Sequence, residues 1–231
     1  MYKNKTYLAV IPARGGSKRL PRKNVLDLAG KPLIAWTIEA SLNSPHIDKT
    51  LVSSDDDEIL SIAKRYSAET IKRPSKFASD TSSSFDAIKH AIETTTLQYD
   101  YVVLLQPTSP LRNKHNINAA IELLEQKKAD AIISVCEIEH SPLWANTLPD
   151  NGAMNNFLRK ELINQRSQDL PKHYRLNGAI YICKTDKLLK EGSFFIKDNI
   201  FSYIMKAEQS IDIDSSTDFS FAKWSMENKA V

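Results

Sequence analysis

The chain has 231 residues, 42% of them hydrophobic and 26% charged, with a net charge of +3 at pH 7. That length fits one large α/β domain, or one domain with a small appendage, and is enough to bury a sizeable core. So small a positive excess, with 8% aromatic residues, argues against the broad basic face and stacking stripe of a nucleic-acid binder.

No stretch approaches the roughly 18 apolar residues of a membrane span. The first residues, Met1 to Pro12, hold no apolar run long enough for a signal peptide. Cys136 and Cys183 both lie in apolar segments. Their number and spacing suit neither a disulfide framework nor a metal site. A reducing cytoplasm is the expected compartment.

Tyr7 to Ile11 is short and wholly apolar, the pattern of a strand buried on both faces in a parallel sheet. The chain then turns at Pro12 into a loop carrying Arg14, Lys18, Arg19, Arg22 and Lys23, with Gly15 and Gly16 among them. It has neither the Walker A pattern nor the dinucleotide fingerprint. Glycines that admit close backbone approach, beside Lys and Arg, still make an anion site. A solvated basic loop has the same composition.

Helical spacing follows from Pro32 to Asn43. Lys49 to Asp55 reads as a strand, and Asp56 to Tyr66 as a helix with acidic residues in its first turn. Ala68 to Pro74 is a third strand. Ser79 to Ser84 is a polar loop that caps a helix over Phe85 to Thr95. Asp100 to Arg112 begins as a strand and ends in a proline-rich turn. A helix over Ile117 to Lys128 and a strand over Asp130 to Glu139 complete the alternation. It predicts an open, mostly parallel sheet with helices on both faces.

Beyond His140 the pattern breaks. His140 to Gly178 is polar, punctuated by Pro, Asn and Gly, and too long for an ordinary connection. The expected division is a core over residues 1–139 and 179–231, with 140–178 as an inserted arm. Ala179 to Lys184 returns as a strand, a last strand begins near Phe201, and a last helix starts at Ser215 to Thr217.

Two further stretches carry candidate chemistry. In Ser210 to Asp214, read as a strand, Asp212 and Asp214 share a face while Ile211 and Ile213 turn to the core. Adjacent carboxylates suit Mg²⁺, which typically bridges one or two carboxylates to substrate phosphates. An exposed strand face leading into a helix cap fits as well. In Leu104 to Arg112, Gln106 ends the strand and Thr108 and Ser109 add hydroxyls. These groups suit a polyhydroxylated ligand; a plain strand-to-helix turn is the other reading. Together the three stretches describe a site for a nucleotide and a sugar acid, with in-line attack at phosphorus.

The motifs IPARGGSKRLPRKN, KRP…ASDTSSS, LLQPTSPLR, RLNGAIYI and SIDID, in this order from about Leu8 to Asp218, resemble those of the N-acylneuraminate cytidylyltransferases. The sibling CMP-Kdo synthetases share the IPAR start but usually continue R-L-P-G-K-P. The resemblance implies a Rossmann-like nucleotide-diphospho-sugar transferase fold, a mostly parallel sheet flanked by helices, and a homodimer whose small dimerisation arm closes the partner's sugar pocket. It implies transfer of CMP from CTP to a free sialic-type acid, with Mg²⁺ and pyrophosphate as product. N-acylneuraminate is the expected acid; legionaminic, pseudaminic and Kdo acids are the alternatives, and a non-catalytic nucleotide-binding module is the other class.

Carried over residue by residue, the resemblance puts Ala13, Arg14, Ser17, Lys18, Lys23, Asn24, Arg73 and Ser84 at the nucleotide. Arg14, Lys23 and Asp214 take the catalytic roles, with Asp212 and Asp214 as metal ligands. It puts Gln106, Arg166, Arg175, Asn177, Tyr181, Phe194 and Phe195 at the sugar. Phe194 and Phe195 also read as core aromatics. Two positions depart from the family. Trp144 stands where a basic residue can follow H-x-P-L, and Ser167 stands where the family has arginine, with Arg166 one place earlier. Both fall on the sugar side.

Overall fold

The apolar run at the start of the chain is strand β1 (Tyr7–Pro12), buried from Tyr7 through Ile11. It is the centre of the computed structural model, which describes residues 1–77 and 83–228. A short hairpin, β2 (Asp27–Leu28) and β3 (Lys31–Pro32), leads into α1 (Leu33–Leu42). Then come β4 (Lys49–Ser54), α2 (Asp57–Arg65), β5 (Glu69–Lys72), α3 (Ser84–Thr94), β6 (Tyr101–Leu104), α4 (Lys114–Lys127) and β7 (Ala131–Glu137). The chain closes with β8 (Tyr174–Lys184), α5 (Thr185–Glu191), β9 (Ile200–Met205) and α6 (Ser216–Glu227).

Seven strands form one sheet in the order β5-β4-β1-β6-β8-β7-β9. β1 pairs in parallel with β4 and β6, β4 with β5, and β7 with β9. Only β8 runs against its neighbours, β6 and β7. Alternate residues of β1 feed two cores, as the period of a strand demands. Ala9 and Ile11 pack with Ile34, Ile38, Ile117 and Ile121, from α1 and α4. Leu8 and Val10 pack with Ile88, Ala91 and Leu188, from α3 and α5. The mostly parallel sheet flanked by helices is the expected architecture.

Several boundaries differ from the sequence reading, each for a local reason. α4 begins three residues early because Asn113 and Asn116 form a reciprocal capping box there. Ser83 caps α3 in the same way with Asp86; residues 79–82 of the polar loop lie outside the described residues. β8 begins at Tyr174, not Ala179, with the exposed Tyr174 and Leu176 paired to Glu137 and Val135 of β7. The stretch between β7 and β8 holds three short 3₁₀ turns, Pro142–Trp144, Lys160–Leu162 and Ser167–Asp169. Residues 210–214 are not a strand. They form an extended connection tied to the β6–α4 turn by the Ile213 amide, which donates to the Thr108 carbonyl at 2.8 Å. The Ile-Asp alternation survives there without a ladder: Ile213 is buried against Leu28, Leu33 and Ala222.

Cys136 and Cys183 are both buried and unbridged, and burial pushes the Cys183 thiol up to about 12. Among the described residues no helix is long and apolar enough to cross a membrane.

Asn177 fastens the point where β8 crosses to its partners. Its Oδ1 accepts from the Ser134 hydroxyl at 2.6 Å and from the Ala179 amide at 3.2 Å. Its Nδ2 donates to Ser210 Oγ at 2.9 Å. Asn177→Ala strands buried donors on Ser134 and Ala179, so we expect a loss of about 2–4 kcal/mol. Urea denaturation reads the loss directly, and an unchanged midpoint contradicts this role.

Candidate active site

β1, β4, β5 and β6 end on the same edge of the sheet, and β8, running the other way, starts there. Ligands of open α/β sheets bind in such a crevice, beyond the carboxyl ends of the strands.

The basic loop after β1 is held by acidic residues of the β4–α2 turn. The Gly15 amide donates to Asp55 Oδ1 at 3.3 Å. A Cβ at Gly15 would lie 2.6 Å from Asp56 Oδ2, so the approach requires glycine. Arg22, at φ +58°, pairs with both Asp56 and Glu58. Asp56 also caps α2, accepting from the Ile59 amide at 3.0 Å. The Arg22 guanidinium, together with that cap, holds the Asp56 carboxyl below the usual carboxylate range. Asn24 is buried and its Nδ2 donates to the Arg14 carbonyl at 3.0 Å. The Ser17 amide turns back on the Gly15 carbonyl at 3.1 Å. Arg14 and Ser17 are half-buried, and Lys18 is exposed.

Arg73 lies beneath the same loop, only 5% exposed. Its Nη2 donates to the Ala13 carbonyl at 3.3 Å and stands 3.8 Å from Asp55 Oδ1. Burial pulls its guanidinium below the ordinary arginine value, Asp55 opposes that, and the charge of Arg14 adds to it. Arginine nonetheless stays charged at neutral pH. Arg73 is thus near enough to Arg14 for their charges to repel, with Asp55 beside it at the strand ends, an arrangement suited to a polyanion.

Lys23 joins the loop to the far end of the chain. It is 9% exposed, and its ammonium donates to the Ile213 carbonyl and lies 3.3 Å from Asp214 Oδ1. Arg19 reaches the other oxygen of Asp214 at 3.1 Å. Asp212 sits beside them with its Oδ1 buried and, among the described residues, unpartnered. Burial pushes its carboxyl up; a hydrogen bond from Thr108 opposes the rise, the Asp214 charge adds to it, and Lys23 and Arg175 oppose it. The strand that was expected to pair these carboxylates is absent, yet the extended connection brings them into electrostatic contact. A buried carboxylate oxygen with no donor, next to a second carboxylate, fits a hard cation whose other ligands are phosphate oxygens and water. Among the described residues no cluster of three metal-binding side chains occurs.

Gln106 extends from the end of β6 toward Gly178. A Cβ on Gly178, which has φ +71°, would lie 2.8 Å from Gln106 Oε1. Thr108 Oγ1 is 3.5 Å from the same oxygen. Arg175 donates to the Ser210 carbonyl at 3.3 Å and so lies over the carboxylate segment. Tyr181 packs edge-on against Phe194 and Phe195, with ring centroids 5.9 and 6.3 Å apart. Phe194 is 7% exposed and belongs to the core, while Phe195 is 54% exposed. The core reading therefore holds for Phe194 and not for Phe195.

Asn177 divides its carboxamide between Ser134 of the sheet and Ser210 at the head of the aspartate segment. Two of the expected site residues stand apart from this cluster of contacts. Ser84 is exposed in the first turn of α3. Arg166 is exposed, 3.8 Å from Asp169 in its own turn. Reasoning from sequence missed the part played by Asp55 and Asp56, and read Thr108 as a hydroxyl for a ligand without its backbone tie to Ile213. The acidic run Asp55 to Glu58 was there to be read, but as helix-dipole charge rather than as the anchor of a basic loop.

A family model described as cytidylyltransferase matches residues 8–216. A pseudaminic acid cytidylyltransferase of Campylobacter jejuni is 39% identical over 94% of each chain. A CMP-N,N'-diacetyllegionaminic acid synthase of Legionella pneumophila is 36% identical, over 95% of this chain and 96% of its own. An N-acylneuraminate cytidylyltransferase of Escherichia coli is 38% identical over 93% of this chain and 51% of its own. Among solved structures, a CMP:2-keto-3-deoxy-manno-octonic acid synthetase complexed with CTP superposes with a TM-score of 0.74 at 18% identity, covering 97% of this chain and 100% of that one.

The Arg22–Asp56 pair gives a test by pH. Because the folded protein holds Asp56 below its unfolded value, its contribution to stability is present above the ordinary carboxylate range. It is lost as pH falls through the folded value. Asp56→Asn should lower the urea midpoint at pH 7, and the gap to the parent should close on acidification. A gap independent of pH contradicts the ion pair.

Proposed function

The chain belongs to the cytidylyltransferase family, and we propose that it transfers CMP from CTP to a free nine-carbon sugar acid, releasing pyrophosphate. The anomeric hydroxyl oxygen bonds to the α-phosphorus, the bond from that phosphorus to the pyrophosphate oxygen breaks, and the hydroxyl proton passes to water. The observation that carries this reading is the buried Lys23, which joins the basic loop to Ile213 and Asp214. It puts phosphate-binding groups and a candidate cation site within one side chain of each other.

In this reading Ala13, Arg14, Ser17, Lys18, Lys23 and Asn24 receive the triphosphate, with Arg73 under the loop and Ser84 toward the nucleoside. Arg14 and Lys23 stabilise the charge that moves onto the leaving pyrophosphate. A preorganised cation is most effective where the site excludes water. Asp212 and Asp214 would hold Mg²⁺, which neutralises phosphate charge and helps align attack. Gln106 and Arg175 face the sugar acid, and Tyr181 and Phe195 offer it an apolar wall. Arg166 and the residue 140–173 excursion reach a partner's sugar pocket in a homodimer.

The relatives act, by name, on three different acids at 36–39% identity, so likeness alone does not choose among them. The two departures, Trp144 and Ser167, lie in the excursion. We therefore assign the substrate as a nonulosonic acid without ranking N-acylneuraminic, legionaminic and pseudaminic acids.

Pyrophosphate release with CTP and Mg²⁺ should appear with one or more of these nine-carbon acids and be weaker with the eight-carbon Kdo. Absence of release with all of them, from protein that binds CTP, overturns the proposal. Asp214→Asn should cut kcat by about a hundredfold or more while CTP binding survives weakened, by analogy with other transition-state charge contacts. Full turnover in that variant overturns the cation assignment.

A further inference from the structure

Arg112 closes the turn after β6 and is 1% exposed. No carboxylate among the described residues pairs with it, and burial alone pulls its guanidinium below the ordinary value. Its Nη2 donates to Thr37 Oγ1 at 2.7 Å and to the Gln106 carbonyl at 3.3 Å. Its Nε and Nη1 have no hydrogen-bond partner among the described residues. A buried charge without a counter-charge is costly. A fold seeking only stability would fill this place with an apolar residue. Such an expense points to a task for the turn that it closes.

That turn serves both halves of the site. Gln106, at its start, points its carboxamide at the glycine-only position 178. The Thr108 carbonyl accepts from the Ile213 amide, and the Thr108 hydroxyl lies 3.5 Å from Gln106 Oε1. The Ser109 hydroxyl donates to the Asn177 carbonyl at 3.5 Å. The Ser109 amide returns to the Gln106 carbonyl at 3.4 Å, and the Arg112 amide to the Ser109 carbonyl at 3.3 Å. The Gln106 carbonyl thus receives the Arg112 guanidinium, the Thr37 hydroxyl and the Ser109 amide together. A carbonyl so held fixes the backbone from which the Gln106 side chain projects.

We propose that Arg112 is a positioning residue for the sugar acid, acting through the Gln106 carbonyl that it and Thr37 clamp from inside the core. The inference rests on the cytidylyltransfer reading above. Both bonds come from one nitrogen, Nη2, held in place by the rigid plane of the guanidinium; a lysine ammonium on a flexible stem lacks that fixed placement. Displacements of an ångström in a reacting group are enough to cost orders of magnitude in rate.

The test is a double-mutant cycle in pyrophosphate release, with Arg112→Lys, Gln106→Ala and the pair, alongside CTP binding by calorimetry. Parent activity is measured first: a parent inactive with every nine-carbon acid overturns the cytidylyltransfer reading and this inference with it. In an active parent, Arg112→Lys should raise the sugar KM about tenfold or more. It should leave the CTP dissociation constant nearly unchanged, and should add little in the Gln106→Ala background. Equal losses toward CTP and sugar, or additive effects in the cycle, reduce Arg112 to a structural residue and overturn the inference while leaving the reaction standing. If Arg112→Lys does not fold, Thr37→Val replaces it in the cycle, removing one hydroxyl at nearly constant volume; the same outcomes decide.

Discussion

Lys23 holds this site together. A lysine that is nine-tenths buried must find oxygen for its ammonium, and it finds the Ile213 carbonyl and Asp214. That requirement draws the basic loop of the N-terminal strand against a segment 190 residues further on. The Asp212–Asp214 pair, the start of α6 and the loop then share one location. Asp218 finishes the arrangement by accepting from the Asp214 and Ser215 amides at 3.1 and 2.7 Å and capping α6 with Ser215.

The same economy of charge recurs around the crevice. A loop rich in Arg and Lys would repel itself open without anchors. Asp55, Asp56 and Glu58 provide them from the adjacent strand end. They engage Gly15, Arg73 and Arg22. The carboxylates and cations are preorganised by contacts that do not need a ligand. In the proposed reaction, Lys23 and Arg19 would bind phosphate oxygens, and Asp212 and Asp214 would hold the cation that neutralises them. The turn after β6 sets the opposite wall, with Arg112 behind it and Gln106 in front.

Much of the scaffold was legible because burial on both faces writes itself as short apolar runs, as in Tyr7 to Ile11. Helix starts were legible where Ser or Asp caps stand before an apolar period, as at Asp56 and Ser215. The start of β8 was hidden because Tyr174, Arg175 and Leu176 are exposed and sit in a polar stretch. The alternation of Ser210 to Asp214 was misread as a strand because a period of two marks any extended chain, ladder or not. At the site, single-residue chemistry was visible in the cationic loop and the two aspartates. The long-range partners were not. Nothing local announces that Asp56 answers Arg22, that Asn177 serves the sheet, or that Arg112 holds Gln106 from within the core.

The central claim is that the basic loop and the aspartate pair receive a triphosphate with its cation. The most direct test is calorimetric titration of the protein with CTP, CDP and CMP, each with and without Mg²⁺. The account predicts that affinity falls with each phosphate removed, and that Mg²⁺ tightens CTP far more than CMP. CMP binding as tightly as CTP, indifferent to Mg²⁺, would contradict it.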